Sequence, residues 1–559
     1  MDPQTTVQPS PAPDATAGQV DHDAREHPDP VSLSETLANR LFLAACVLTV
    51  PLVILVFGRD QWFQADEWFV LARPDGFPQV FEPNAGTHWV MWPRLLYAAL
   101  WPVVGMHSYW PYQVPNVVLH VVAVAMLRVV MRRSGVGPWL ATAAATPMLL
   151  FGAGPQAIIF GFQVGFTGSL AWSMVQLVAA DHDDPSRRRL VLALAAGLLA
   201  VTSSGVGVVT TVMVGLGLFL RWGWRRAAFQ AVPPVVLYGV WAAVQQVQST
   251  VDRKPTVDQI IRWVRVSVAS TFTAISHFEV LGWLLAVLII VGLVLAFGPG
   301  RDMSWADLRH QWAIPAAMFV TIFLFSVNTA LGRFYEGDTG AQTGRYLYLQ
   351  AFLLLPLVAR CAQEISRRWP VTTPVLAMVL LLPVPFNLKG FDSDFLRTYA
   401  AQRSYVLTTA VRMPFARDVP RSVHPVPDKY DGPGLNIGFL LDAQRAGRLE
   451  PSTIPLTPMV VNEFRLRLGF SESHGVTLED LATCEKLLEP TVITPAVGDE
   501  LAFTGPFVAS TVDEAGDRSS AHVWFVPADN GSLFTTFLPD LRIEVKPATA
   551  DRVSICTVK

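Results

Sequence analysis

Apolar stretches long enough to cross a bilayer recur along the first two-thirds of the chain and stop at Phe386. A helix needs roughly 17 to 25 apolar residues to span the hydrocarbon core. By that measure the pattern predicts about eleven spans, near 41–57, 110–131, 138–154, 163–180, 190–204, 206–220, 227–247, 279–297, 312–330, 346–361 and 371–387. The fifth and sixth are short and share the break Ser203-Ser204-Gly205. The first run, Leu41 to Phe57, follows Arg40 and has no small-residue cleavage site, so it reads as a signal anchor that stays in the chain. Before it, Met1 to Asp29 is rich in Pro, Asp, Gln and Thr with no apolar segment, the pattern of a disordered tail.

Arginine placement predicts the orientation. Arg128, Arg132 and Arg133 fall in one connection, Arg187 to Arg189 in a second, and Arg221, Arg225 and Arg226 in a third. Arg301 with Arg309, then Arg360, Arg367 and Arg368, complete the series. These connections alternate, as the positive-inside rule expects of cytoplasmic loops. The N-terminus is therefore expected inside, and an odd number of spans places everything after Phe386 outside.

The outer connections are unequal. Gly58 to Tyr109 is long, and Gln248 to Phe278 and Leu331 to Arg345 are substantial. Within the first, Trp89 to Val104 is aromatic and helical in pattern but interrupted by Pro93 and Pro102, which suits a helix lying in the interface. Asp258 to Ile275 has the same character, with Ile260, Ile261, Val264 and Val268 on one face. Irregular chain at membrane depth survives only against protein or water, so a pocket roofed by these segments is the expected place for function.

From Asn387 prolines, glycines and charges return. Short β-branched runs at Thr491 to Thr494, Leu501 to Thr504, His522 to Val526 and Leu541 to Val545, with turn residues such as Asp529-Asn530-Gly531, predict strands. The expected organisation is a tail (1–40), a membrane domain (41–387) with its long first outer loop (58–109), and a soluble mixed α/β domain (388–559) that is strand-rich in its later half. No catalytic motif stands out in that domain. Asn530-Gly531-Ser532 fits a glycosylation sequon, a pattern short enough to arise by chance.

Composition agrees. Hydrophobic residues are 51% and charged residues 16% of the 559, below the roughly 25% charged of soluble domains, and mean hydropathy is +0.37. A net charge of -3 offers no basic face to nucleic acid. Cys46 and Cys361 lie in apolar runs; Cys484 and Cys556 lie in the C-terminal domain, as a disulfide if that domain meets an oxidising compartment, or else as two buried thiols.

Candidate chemistry gathers in the first outer loop. Asp66 and Glu67 form an adjacent acid pair among aromatics just beyond the first span. A partly desolvated carboxylate there has a raised pKa and suits a general base; the plain alternative is a solvated turn. Glu82, Asn84, Gly86, Thr87, His88 and Arg94 crowd the same loop. His120, inside the second span, reads as a helix–helix hydrogen bond.

Asp66-Glu67-Trp68, Gly86-Thr87-His88-Trp89, Pro93-Arg94-Leu95-Leu96-Tyr97, Phe162-Gln163-Val164-Gly165-Phe166 and Gly344-Arg345-Tyr346-Leu347-Tyr348 together resemble the GT-C superfamily of membrane glycosyltransferases, within it a group of actinobacterial type. The resemblance spans roughly residues 40–390, is architectural more than motif-exact, and leaves out the C-terminal domain. It implies a GT-C-like helical core in the plasma membrane and transfer of a sugar, with inversion, from a polyprenyl-phosphate donor to a cell-envelope acceptor. Asp66 is then the expected base and Glu67 the second choice, unless the pair holds a divalent metal. Arg345, Arg333 and Tyr346 are expected at the donor phosphate, and His88, Arg94 and Gln163 at the acceptor or pocket. The plain alternative for Arg345 is an arginine snorkelling to the interface. Two other classes compete: a transporter or flippase of lipid-linked glycans, against which no inverted repeat and few buried charges are found, and a non-enzymatic assembly protein that presents its outer domain.

Overall fold

The computed structural model describes residues 30–72, 77–84, 87–247, 254–299, 304–391, 394–426, 434–473, 481–512, 522–525, 532–548 and 553–558. The expected tail Met1 to Asp29, the Asp529-Asn530-Gly531 turn with the sequon asparagine, Gly86 and part of the 248–278 connection lie outside the described residues.

Apolar periodicity becomes helix throughout the first part. Helix α1 (Pro30–Leu52) runs on through a π turn to Phe57. A short α2 (Trp68–Leu71) and two two-residue strands, β1 (Pro83–Asn84) and β2 (His88–Trp89), precede α3 (Met91–Val104). Then follow α4 (Trp110–Arg133), α5 (Pro138–Leu149), α6 (Pro155–Ile159), α7 (Val164–Ala180), α8 (Arg187–Ser203), α9 (Val206–Trp222) and α10 (Trp224–Val244). Next come α11 (Val257–Ser276), α12 (Glu279–Phe297), α13 (Trp305–Arg333), α14 (Gly337–Ala341), α15 (Gly344–Arg368), α16 (Thr373–Leu381) and α17 (Val384–Phe391).

Helices thus occupy every position where a span is expected, but length and hydropathy do not confirm a count of eleven. Among the described residues seven helical segments are long and apolar enough to cross a membrane. α5 has 12 residues, and α7, α8 and α9 have 17 each. The chain breaks at Leu150–Gly154 and at Ser204–Gly205, which stops these helices short. α15 is the axis of the bundle, with 18 of its residues from Tyr346 to Ser366 buried. The chain is a polytopic, mostly helical membrane protein.

α11 departs from the expected surface helix. Trp263 donates from Nε1 to Thr329 Oγ1 (3.1 Å), and Gln350 of α15 donates to Ser267 Oγ (2.6 Å) while accepting from Thr271 Oγ1 (2.8 Å). The polar stripe at Trp263, Ser267 and Thr271, spaced by four, therefore packs into the bundle.

Beyond α17, α18 (Asp394–Ala410), α19 (Ile437–Arg445) and α20 (Pro458–Gly469) are followed by strands. β3 (Phe470–Ser473), β9 (Ser532–Thr536), β6 (Glu500–Phe503), β11 (Ser554–Val558) and β4 (Leu481–Lys486) form one antiparallel sheet in that order. β5 (Thr491–Ile493), β10 (Ile543–Pro547), β7 (Phe507–Thr511) and β8 (Val523–Phe525) form the other. Phe470, Phe503, Phe507, Phe525 and Phe534 interdigitate between the two sheets. Cys484 and Cys556, cross-strand partners on β4 and β11, form a disulfide.

The expected domain boundary at residue 387 is not where the cores divide. Phe63, Trp68, Tyr97 and Trp101 of the first loop share one hydrophobic cluster with Leu407, Leu440, Phe464 and Leu468. Trp101 stacks on Phe439 at 5.8 Å, and Met106 N donates to Arg448 O at 2.7 Å. Residues 394–468 thus complete the core of the loop, and the strands hold a core of their own.

Candidate active site

The acid pair sits on a 3₁₀ turn, Ala65–Glu67, entered from extended Gln64. Ala65 has φ +48°, a left-handed conformation that costs a residue with a Cβ and persists only where its surroundings impose it. A 3₁₀ turn advances about 120° per residue, so consecutive side chains diverge.

Glu67 turns inward and is fully buried. Its Oε2 accepts from Gln64 N (2.7 Å); its Oε1 accepts from Tyr109 Oη (2.9 Å) and from the hydroxyl of Tyr97. Tyr109 Oη in turn accepts from Gly161 N at 2.9 Å. Burial pushes Glu67 up to about 8, while the three donors pull the other way. Phe63 packs edge-on against Tyr109 and Tyr112, each at 5.0 Å.

Asp66 turns the other way. Its side chain is half-buried, and burial raises its pKa against the opposing pull of Arg345 and then Arg333, both within electrostatic reach. His88 shares those two arginines. Water reaches its ring, yet protein crowds it enough for desolvation, seconded by Arg333 and Arg345, to lower its pKa to about 4. With that low pKa the ring is neutral at physiological pH. A Cβ on Gly205 would sit 3.3 Å from His88 Nδ1, so the α8–α9 turn lies against the ring.

Helix ends supply the arginines. Arg345 opens α15, its guanidinium 5.4 Å from the ring centroid of Tyr346. Arg333 closes α13 and pairs with Glu336 at 2.8 Å, leaving Arg345 with no carboxylate ion pair among the described residues. Tyr346 is buried, with Phe325 edge-on at 5.6 Å, and orients Arg345 by stacking.

The structure therefore brings Asp66, His88, Arg333 and Arg345 together, with Tyr346 behind them. Arg94 is buried on α3 and donates to the carbonyl of Gln79, holding the loop together. Gln163 is buried at the end of the Gly161–Gln163 turn, its carbonyl accepting from Thr167 Oγ1 at 3.1 Å.

Asp66 and Glu67 do not suit a shared metal. Glu67's oxygens are occupied by three hydrogen-bond donors, and the charges nearest Asp66 are arginines, which repel a cation. Among the described residues no group of three or more His, Cys, Asp or Glu converges as a metal site.

Anchors around these residues are polar groups reaching between distant segments. Gln113 donates to Gly58 O (3.2 Å) and Ile159 O (3.0 Å), and Asn116 to the carbonyls of Ala157, Ile158 and Phe160. Trp89 stacks on Trp241 at 5.0 Å and 6°, and Trp92 donates to Thr202 Oγ1 at 3.0 Å. Tyr97 and Tyr109 are the residues that sequence reading missed. The spacing of the buried Arg94, Tyr97 and Trp101 along α3 marks Tyr97 as inward-facing; Tyr109 carries no such signal.

No family model matches the chain. No curated protein matches it. Among solved structures the chain is similar to the crystal structure of ArnT from Cupriavidus metallidurans in the apo state, at 14% identity over 75% of this chain and 90% of that one, with a TM-score of 0.30.

Proposed function

We propose that the protein is an inverting glycosyltransferase that moves a sugar from a polyprenyl-phosphate donor to a cell-envelope acceptor on the outer face of the plasma membrane. The observation that carries this reading is a half-buried, desolvated carboxyl, Asp66, on the loop that follows the first candidate span and within electrostatic reach of two arginines at the ends of long apolar helices. Asp66 takes the proton of an acceptor hydroxyl. The hydroxyl oxygen attacks the anomeric carbon from the face opposite the departing lipid phosphate, the glycosidic C–O bond breaks, and both electrons leave with the phosphate. Arg345, which has no carboxylate ion pair among the described residues, and Arg333 stabilise that anion. One displacement inverts the centre and requires no covalent intermediate. Neutral His88 accepts or donates a hydrogen bond to a substrate hydroxyl.

The arginine-rich connections support an inside N-terminus, and with it an outer first loop and outer C-terminal region. The Cys484–Cys556 disulfide agrees with an oxidising compartment. The test is Asp66→Asn in a transfer assay with purified protein and a panel of polyprenyl-phosphate sugars. Transfer by the wild type and its loss in the variant are expected. Undiminished transfer by Asp66→Asn sinks the mechanism.

A further inference from the structure

We infer that Glu67 is a positioning residue, whose buried carboxyl clamps the turn that aims Asp66 at Arg345 and Arg333. The inference rests on the reading of Asp66 as the base.

Four observations converge. Glu67 is fully buried, with no cation among the hydrogen-bond partners of its carboxyl. Those partners come from three places: Gln64 N closes the turn itself, Tyr97 lies on α3, and Tyr109 precedes α4. The third reaches further, because Tyr109 also accepts from Gly161 N. A Cβ on Gly161 would lie 3.1 Å from Tyr97 Oη and 3.2 Å from Tyr109 Oη, so the glycine lets the backbone close on both hydroxyls. Finally, Ala65 is held left-handed directly before Asp66, a conformation that relaxes once nothing enforces it.

An apolar residue at 67 fills the same space but leaves two tyrosine hydroxyls and a backbone N–H without acceptors. The carboxyl therefore joins loop, α3, α4 and the 161–163 turn at one point. Since side chains 66 and 67 diverge on the turn, fixing one inward fixes the other toward Arg345 and Arg333. Loss of the clamp lets Ala65 relax and Asp66 swing into water.

The experiment reads Asp66 directly in the full-length protein in lipid nanodiscs. Carbodiimide-activated amine coupling is run across a pH series, and modification of Asp66 is quantified by mass spectrometry with fragmentation to separate it from Glu67. In the wild type the midpoint is expected above the ordinary aspartate value of about 4. In Glu67→Leu and Tyr109→Phe it should move toward that value, and kcat for transfer should fall about tenfold or more while donor KM changes little. Glu67→Gln, which keeps an acceptor oxygen for the tyrosines, should restore most of the wild-type profile. Thermal unfolding identifies variants that fold, and Tyr109→Phe, losing one hydroxyl, gives the test if Glu67→Leu does not. A folded Tyr109→Phe or Glu67→Leu whose Asp66 profile superimposes on the wild type overturns the inference. The coupling assay needs no substrate, so an active Asp66→Asn removes the assignment of the base without deciding the clamp.

Discussion

His120 on α4 and Tyr348 on α15 meet at 2.7 Å, Nδ1 to Oη, while His120 Nε2 lies 3.1 Å from the carbonyl of Leu149 on α5. A carbonyl only accepts, so Nε2 carries the hydrogen and Nδ1 accepts from the tyrosine. One ring thereby ties three helices, three residues along α15 from Arg345. Tyr348→Phe leaves Nδ1 unpaired in the interior and should cost about 1–3 kcal/mol of stability. Thermal unfolding in detergent is the check, and an unchanged transition would remove this ring from the account of how α15 is placed.

Asp66→Asn should lower kcat by about 10²–10⁴, the usual contribution of a positioned base. The thermal transition should hold or rise, because a desolvated charge has been removed.

Arg345→Gln removes the arginine with the larger of the two pulls that oppose the rise in the Asp66 pKa. Asp66 must be ionised to act, so activity falls on the acid side of its pKa. Without Arg345 that pKa rises, and the acid limb of kcat/KM should move to higher pH. The pH–rate profile decides, and a limb that stays put or moves down contradicts the proximity of the two groups.

Glu67 is raised from 4.5 to about 8 on folding. The unfolded chain gives up this proton first, so the folded state holds more protons between those values and stability declines with rising pH. The contribution is complete below about 4.5 and lost as pH passes about 8. Glu67→Gln cannot titrate, so its thermal transition should change less than the wild type's from pH 5 to 8.5. Parallel curves would count against a protonated, buried carboxyl.

The Cys484–Cys556 bond closes a stretch of 72 residues within the strand core. Cys556→Ser, or a reductant acting on the wild type, should destabilise that core by about 2–4 kcal/mol. Hydrogen exchange on the β3, β6 and β9 peptides, compared with α15, should show the loss confined to the sheets.

Much of the helical body was legible because a bilayer demands long uninterrupted apolar runs, and α4, α12, α13 and α15 supply them. The strands at Thr491, Glu500, Val523 and Ile543 announced themselves through short β-branched runs. Span number was less legible, since length alone does not separate α7 to α9, at 17 residues, from true spans. The acid pair was visible as a pair, but which member faces inward was not. That choice is made by tyrosines 30 and 42 residues downstream, beyond any local periodicity. For the same reason Arg94 read as a pocket residue, whereas a backbone carbonyl 15 residues earlier holds it.

Because Trp101 rests on Phe439, the loop bearing Asp66 is assembled from chain ends made far apart in time. About 340 residues separate the two, roughly 17–70 s of translation at 5–20 residues per second. During that interval the first loop has left the ribosome without the residues that cover it. A newborn chain therefore cannot complete the core around the first loop until its last third is delivered to the same side of the membrane. Truncation beyond residue 391 should consequently abolish activity through the loop, even though every candidate catalytic side chain is still present.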